Sequence, residues 1–117
     1  MIYLTNAFSV TMVRWPQIGL SKSFQIARIS AYSVGEILRT NDFVSCYGHR
    51  HSAWHLSRYL KVEIPVNRIP IHLKRNDTLI IAHAGFDRGY RYEQDGAPRW
   101  SFYMLKYLGE ASHDDSR

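Results

Sequence analysis

The sequence predicts one α/β or α+β domain in which a central mixed β-sheet is flanked by helices. At 117 residues, the chain can bury a single hydrophobic core but is too short for two. Several short segments have strand character and few have helical spacing, which favours one sheet with helices packed on it. No repeat, low-complexity stretch or interior linker divides the sequence. We therefore expect residues 1–108 to form the domain and residues 109–117 to form a disordered tail.

The first half of the chain is expected to supply strands, a short helix and a central turn. Residues 2–4 are predicted to be the opening strand, and residues 6–9 a polar turn. Residues 24–40 fit a strand followed by a short helix. Residues 43–47 have strand character, and Gly48 after them allows a tight turn.

An amphipathic helix is predicted over residues 51–60. Ala53, Leu56 and Leu60 lie at the i, i+3 and i+7 positions of one face, as expected for residues that contact a core. The opposite face is polar and basic, and it carries His51, His55 and Arg58. The sequence thus predicts a strand, a glycine turn and a helix in direct succession.

The remaining strands are predicted at residues 69–73, 79–83 and 100–107. The first of them alternates apolar and polar residues, and Pro70 confines it to a sheet edge or a strand start. Residues 84–98 are rich in glycine, arginine and tyrosine. We expect this segment to be a long loop, of the kind that often carries function.

Charge and composition indicate a phosphate-bearing partner. Fifteen Lys and Arg against ten Asp and Glu give a net charge of +5, and a basic protein concentrates phosphorylated ligands around itself. This charge does not distinguish DNA from a small nucleotide. No apolar run approaches the roughly 20 residues that cross a bilayer, no signal peptide is evident, and the lone Cys46 cannot form an internal disulfide. We expect a cytoplasmic protein without a membrane partner.

A first group of candidate binding residues follows the opening strand. Asn6, Phe8 and Ser9 stand where side-chain amides and hydroxyls can hydrogen-bond a phosphate or a sugar. The alternative is local turn chemistry, in which the Asn and Ser side chains bond their own backbone.

The pair Gly48-His49, at the predicted strand-to-helix turn, is the second candidate. The amino end of a helix presents unpaired N–H groups and partial positive charge, which favours anions. A histidine at that position can donate a proton to an alkoxide leaving group. The structural alternative is a histidine that caps the helix or packs against Trp54.

A metal site is not expected. The possible ligands are Cys46, His49, His51 and His55, whose spacing matches no standard zinc pattern. No phosphate loop, Ser-His-Asp arrangement or paired-carboxylate signature is present either.

Arginines form the last candidate group. Arg68, Arg88 and Arg91 can pair with phosphates through their guanidinium forks, and Tyr90 and Tyr92 can stack on bases. The alternative is a solvated loop with surface arginines.

Five short motifs, taken together, resemble those of a known family. They are LTNAFS at residues 4–9, YGH at 47–49, VNR at 66–68, NDTLII at 76–81 and SFY at 101–103. In this order and spacing they resemble the viral type III anti-CRISPR ring nucleases, and the similarity extends from about residue 2 to residue 107.

The resemblance implies a symmetric homodimer whose shared pocket binds cyclic tetra-adenylate and cleaves it without a metal or cofactor. A ribose 2′-hydroxyl attacks its own phosphate, and His49 protonates the departing 5′-oxygen. Asn6 and Ser9 contact the ring, and Arg68 holds phosphate. Binding to genomic nucleic acid is not implied.

One segment departs from the family pattern. In the family, the strand matching residues 79–83 is followed by an arginine and, three residues later, by a glutamate before a glycine, and both assist catalysis. Here the segment is AGFDRG over residues 84–89, without a glutamate. Asp87 is the candidate replacement for the carboxylate, and Arg88 or Arg91 for the positive charge. The alternatives are a cyclic-nucleotide sponge that does not cleave and a small basic DNA-binding regulator that uses helix 51–60.

Overall fold

The computed structural model describes residues 1–85 and 99–111. A 3₁₀-helix, Val10–Met12, follows the first strand. The strands in the described part are β1 (Ile2–Thr5), β2 (Lys22–Ile29), β3 (Val44–Ser45), β4 (Thr78–Gly85) and β5 (Arg99–Glu110). The α-helices there are α1 (Ala31–Thr40), between β2 and β3, and α2 (Arg50–Leu60), between β3 and β4. The strands form one mixed sheet in the order β2-β5-β4-β1-β3, which confirms the predicted single α+β domain.

Strand pairing brings three strand ends to one edge of the sheet. β1 lies between β3 and β4 and runs parallel to both, with Leu4 opposite Ser45 and Thr5 opposite Ile81. β5 runs antiparallel to β4 and to β2. Because parallel strands end on the same side of a sheet, the residues that follow β1, β3 and β4 are neighbours in space.

The hydrophobic core occupies both faces of the sheet. Leu79 and Ile80 are consecutive in β4 and both 0% exposed, since successive strand residues point to opposite faces. One face packs against the helices through the buried Val34, Leu38, Ala53, Leu56 and Leu60. The other face is covered by Val13, Ile71 and Leu73 from connecting segments.

Each helix has identifiable end signals. Ser30 precedes α1, and its Oγ accepts a hydrogen bond from the Ser33 amide at 3.1 Å, which satisfies a donor that the first turn leaves unpaired. α2 ends where Lys61 adopts left-handed backbone with φ 57°. The Val62 amide then donates to the Ser57 carbonyl at 3.2 Å, as in a Schellman motif.

The prediction of a strand at residues 69–73 is wrong, because in the described structure this segment pairs with no strand. Its alternation is nevertheless real: Ile71 and Leu73 are buried and His72 between them is exposed. The segment covers one face of the sheet and donates the Leu73 amide to the Met12 carbonyl at 2.7 Å. The alternation of apolar and polar residues therefore indicated a segment with one buried side, and not a strand that is hydrogen-bonded to a neighbour.

Several boundaries also differ from the prediction. Helix α2 begins at Arg50 with His49 as its N-cap residue, one position earlier than expected. β5 continues to Glu110 and pairs with Lys22, so Gly109 and Glu110 belong to the sheet and not to the predicted tail. Ala84 and Gly85 belong to β4. The remainder of the predicted loop, residues 86–98, and tail residues 112–117 lie outside the described residues.

Candidate functional site

A cleft of about 620 Å³ lies at the carboxyl ends of the three parallel strands. In open sheets of this kind, ligands bind beyond the carboxyl ends of the strands. The cleft is lined by Asn6, Ala7, Tyr47, His49, Arg50, His51, Ser52, Arg68, His83 and Ala84. Its position follows from the parallel pairing of β1 with β3 and β4.

Buried Tyr47 fixes the wall of the cleft that follows β3. Its side chain is 0% exposed, and its hydroxyl donates to the Ala82 carbonyl of β4 at 3.0 Å. The Tyr47 carbonyl accepts the Asn67 amide at 3.0 Å. Since buried polar groups hold position through such bonds, the turn at residues 47–49 is tied to β4 and to the segment that carries Arg68.

The next residue, Gly48, leaves room for an arginine. Its carbonyl accepts a hydrogen bond from Arg68 Nε at 2.8 Å, and a Cβ placed on Gly48 would lie 3.3 Å from Arg68 Cγ. A larger residue would crowd this contact. The bond orients the guanidinium while its two terminal nitrogens have no partner among the described residues.

His49 lies at the amino end of α2 with an exposed side chain. It is the N-cap residue, yet its side chain makes no capping hydrogen bond, so the helix-capping alternative is wrong. The other alternative, packing of His49 against Trp54, is not found either: the Trp54 ring contacts His55 and Arg58. Within residues 1–85 and 99–111, the His49 imidazole has no hydrogen-bond partner.

The electrostatics of the cleft favour an anion. Arg50 and Arg68 line it together with three histidines, and no Asp or Glu from the described ranges joins them. The first three residues of α2 also line it, and the amides of a first helical turn carry partial positive charge. Guanidinium groups and helix amides together are a common phosphate site.

The structure brings some of the predicted site residues together and separates others. Asn6, His49 and Arg68 share the cleft, and Gly48 positions Arg68. Arg88, Asp87 and Arg91 lie outside the described residues.

Phe8 and Ser9 do not line the cleft. Phe8 packs edge-to-face on Phe24 at 5.5 Å between ring centroids and lies, partly buried, against the core on the sheet face opposite the helices. Ser9 Oγ accepts the Thr11 amide at 3.3 Å, as the turn alternative requires. Ser9 instead lines a separate depression of about 360 Å³ that includes His72.

Arg50 and His83 also line the cleft, although no motif points to them. Arg50 is the first residue of α2 and follows the predicted Gly48-His49 pair directly. His83 comes from β4, which lies beside β1 only because of the strand order. The position of Arg50 directly after Gly48-His49 could have identified it as a cleft residue. His83 could be identified only from the strand order.

The histidines and the cysteine do not form a metal cluster in the described ranges, where no group of three or more His, Cys, Asp or Glu is placed to hold an ion. Cys46 is buried in the core on the sheet face opposite the helices, and burial raises the pKa of its thiol. Burial, followed by the nearby His51 and Arg58, lowers the pKa of His55. No helix in the described part of the chain has the length and apolar composition needed to cross a membrane.

Comparison with known proteins gives consistent matches over most of the chain. A family model described as STIV B116-like matches residues 2–85. "Uncharacterized protein 26" of Sulfolobus islandicus filamentous virus (isolate Iceland/Hveragerdi) is 30% identical over 115 residues, which cover 92% of this chain and 94% of that protein. B116 of Sulfolobus turreted icosahedral virus has a similar structure, with a TM-score of 0.64 at 18% identity, covering 90% of this chain and 97% of B116. At that identity the structural match concerns the fold.

Proposed function

The chain belongs to the STIV B116-like family of small archaeal-virus proteins, and from this premise we propose that it is a metal-independent ring nuclease. Its substrate in this proposal is a cyclic oligoadenylate, with cyclic tetra-adenylate as the first candidate, and its role is to switch off type III CRISPR signalling in the host cytoplasm. The observation that carries the proposal is the cleft, in which an exposed imidazole stands beside two arginines and a helix amino end.

The chemistry requires no residue beyond those of the cleft and the substrate. A ribose 2′-hydroxyl attacks the adjacent phosphorus and releases its proton to water, the new O2′–P bond forms, and the P–O5′ bond breaks. His49 protonates the departing 5′-oxygen, which leaves a linear product with a 2′,3′-cyclic phosphate. General-acid catalysis of this kind contributes about 10²- to 10⁴-fold. Arg50 and Arg68 stabilise the charge that develops on the phosphorane oxygens.

A homodimer suits this substrate. A two-fold protein presents the same group twice, and a ring of repeated nucleotides offers equivalent phosphates to both copies. In the proposed complex, two clefts face one ring, and each contributes its own His49 and Arg68. We propose this arrangement as the shared pocket.

A second candidate is a sponge that binds the ring without cleaving it. It is favoured by the segment AGFDRG at residues 84–89, which has no glutamate where the ring nucleases carry one. The binding contacts of the cleft serve both candidates equally.

The test is incubation of labelled cyclic tetra-adenylate with the protein in excess EDTA. The proposal predicts linear products that end in a 2′,3′-cyclic phosphate. In His49→Ala, cleavage should fall by about 10²-fold or more while ring binding is retained. His72→Ala is the matched control, because His72 is exposed and lines a different depression.

The other outcomes separate the candidates. Tight binding without turnover in the wild-type protein selects the sponge. No binding of any cyclic oligoadenylate, combined with binding to duplex DNA, refutes both and selects the DNA-binding regulator. Activity lost in EDTA and restored by zinc contradicts the metal-independent mechanism.

A further inference from the structure

A second, more apolar groove of about 540 Å³ is lined by α2 and by residues 62–66, next to the cleft. Its lining includes Trp54, Arg58, Lys61, Val62, Ile64 and Val66. Arg50 lines both this groove and the cleft. The two depressions are therefore adjacent and share Arg50 as a lining residue. The volume of the groove falls in the range of small-molecule sites, about 300–1,000 Å³.

Trp54 forms an exposed aromatic platform in the groove. The residue is 56% exposed, although indole is among the largest apolar groups in proteins. The Arg58 guanidinium lies 4.9 Å from its ring centroid, and the His55 ring contacts it edge-on at 4.9 Å. These contacts hold the indole in one orientation before any ligand arrives, which lowers the entropic cost of binding.

Charge around the groove is mainly positive. Arg50, Arg58 and Lys61 line it, against the single described acid Glu63. An aromatic platform bordered by cations is the combination that binds nucleotides, because bases stack on the ring and phosphates pair with the cations. Arg50 and Trp54 are one helical turn apart, roughly 6 Å along the axis, which is comparable to the separation of a phosphate from its own base.

We propose that this groove is a base-stacking subsite for a nucleotide whose phosphate lies at Arg50. The inference rests on the proposed function in one respect: the nucleotide is part of the oligoadenylate held in the cleft. Trp54 stacks on one adenine, and Arg50 spans the phosphate between groove and cleft. Trp54 is thus a binding residue for the base and takes no part in proton transfer.

A second copy of the chain fits this surface less well. In a two-fold contact the same patch meets itself, so the three cations of one copy would face the three cations of the other. Like charges placed together across an interface oppose association. A nucleotide brings negative charge instead.

The test uses the wild-type protein and follows the indole N–H signal of Trp54 by NMR. Adenosine 5′-monophosphate should shift this signal saturably, whereas ribose 5-phosphate, which lacks a base, should leave it in place. Trp54→Leu should weaken binding of cyclic tetra-adenylate by about fivefold or more, as expected for loss of one stacked base. Tyr32→Leu is the matched control, since Tyr32 on α1 is 74% exposed and lines neither depression.

The outcomes distinguish this subsite from the cleft. If the Trp54 signal ignores adenosine 5′-monophosphate while His49-dependent cleavage proceeds, the subsite is refuted and the cleft stands. If the wild-type protein ignores every ring but the nucleotide still shifts Trp54, the cleft proposal fails and base stacking in the groove is upheld. A Trp54 signal that moves with protein concentration alone overturns the subsite, because it identifies a contact between copies.

Discussion

Replacing Tyr47 with phenylalanine tests how the cleft is held together. The Tyr47 ring is 0% exposed, as is Ala82, and the hydroxyl donates to the Ala82 carbonyl at 3.0 Å. Phenylalanine keeps the ring and removes this donor. The Ala82 carbonyl then loses its bond in a buried position, where an unsatisfied polar group costs about 1–3 kcal/mol. We expect Tyr47→Phe to lower the free energy of unfolding by that amount.

The expected change is large enough to measure in two ways. For a chain of this size, each kcal/mol corresponds to about 4 °C in melting temperature, so the variant should melt roughly 4–12 °C below wild type. Urea unfolding followed by circular dichroism should give a lower midpoint with an unchanged slope, because the surface exposed on unfolding is the same.

A matched variant separates the bond from the chemical change itself. Tyr32→Phe removes the same hydroxyl from a side chain that is 74% exposed, and its stability should stay within about 0.5 kcal/mol of wild type. If Tyr47→Phe is also within about 0.5 kcal/mol of wild type, the bond does not fix the turn before His49, and the explanation of the cleft wall is wrong.

Two further changes act on α2. Lys61 has φ 57°, a conformation that costs a non-glycine residue about 1–2 kcal/mol. Lys61→Gly should therefore raise the free energy of unfolding by about 0.5–1 kcal/mol, after the greater backbone entropy of glycine is subtracted. A lower urea midpoint for this variant would contradict the prediction. Burial first, then His51 and Arg58, lowers the pKa of His55, so unfolding takes up a proton as pH falls below the unfolded pKa of about 6.5. His55→Gln should therefore lose less stability than wild type between about pH 7.5 and pH 5, and equal losses in urea titrations at the two pH values would refute the assignment.

Local patterns predicted most helices and strands, because the residues that form each pattern lie close together in the sequence. The buried face of α2 followed from Ala53, Leu56 and Leu60, and all three are indeed buried. The apolar run at residues 79–83 lies within β4. Such patterns record which side of an element meets the core. They do not record whether the backbone pairs with a neighbouring strand. Residues 69–73 therefore resembled a strand, although they only cover one face of the sheet.

Strand order could not be predicted in the same way. The parallel pairing of β1 with β3 joins Tyr3 to Val44, 41 positions apart, and its pairing with β4 joins Ile2 to Thr78, 76 positions apart. His83 reaches the cleft only through this pairing. Asn6 and His49 were predicted separately, and the topology placed them in one cleft.

Polar residues within one turn were equally hard to separate by sequence. Asn6 lines the cleft, whereas Ser9 bonds the Thr11 amide. Both residue types form local backbone bonds readily. Which of them remains available to a ligand depends on the path of the chain after β1, along which Phe8 packs on Phe24.

In the proposed function, a phosphodiester ring is held at the carboxyl ends of β1, β3 and β4. The most direct measurement is calorimetric titration of cyclic tetra-adenylate into His49→Ala, in which the ring survives. We predict saturable binding at one ring for two chains, weakened at least tenfold, or about 1.4 kcal/mol, when Arg68→Ala is added. An absence of binding heat, or an affinity that Arg68→Ala leaves unchanged, would contradict the claim.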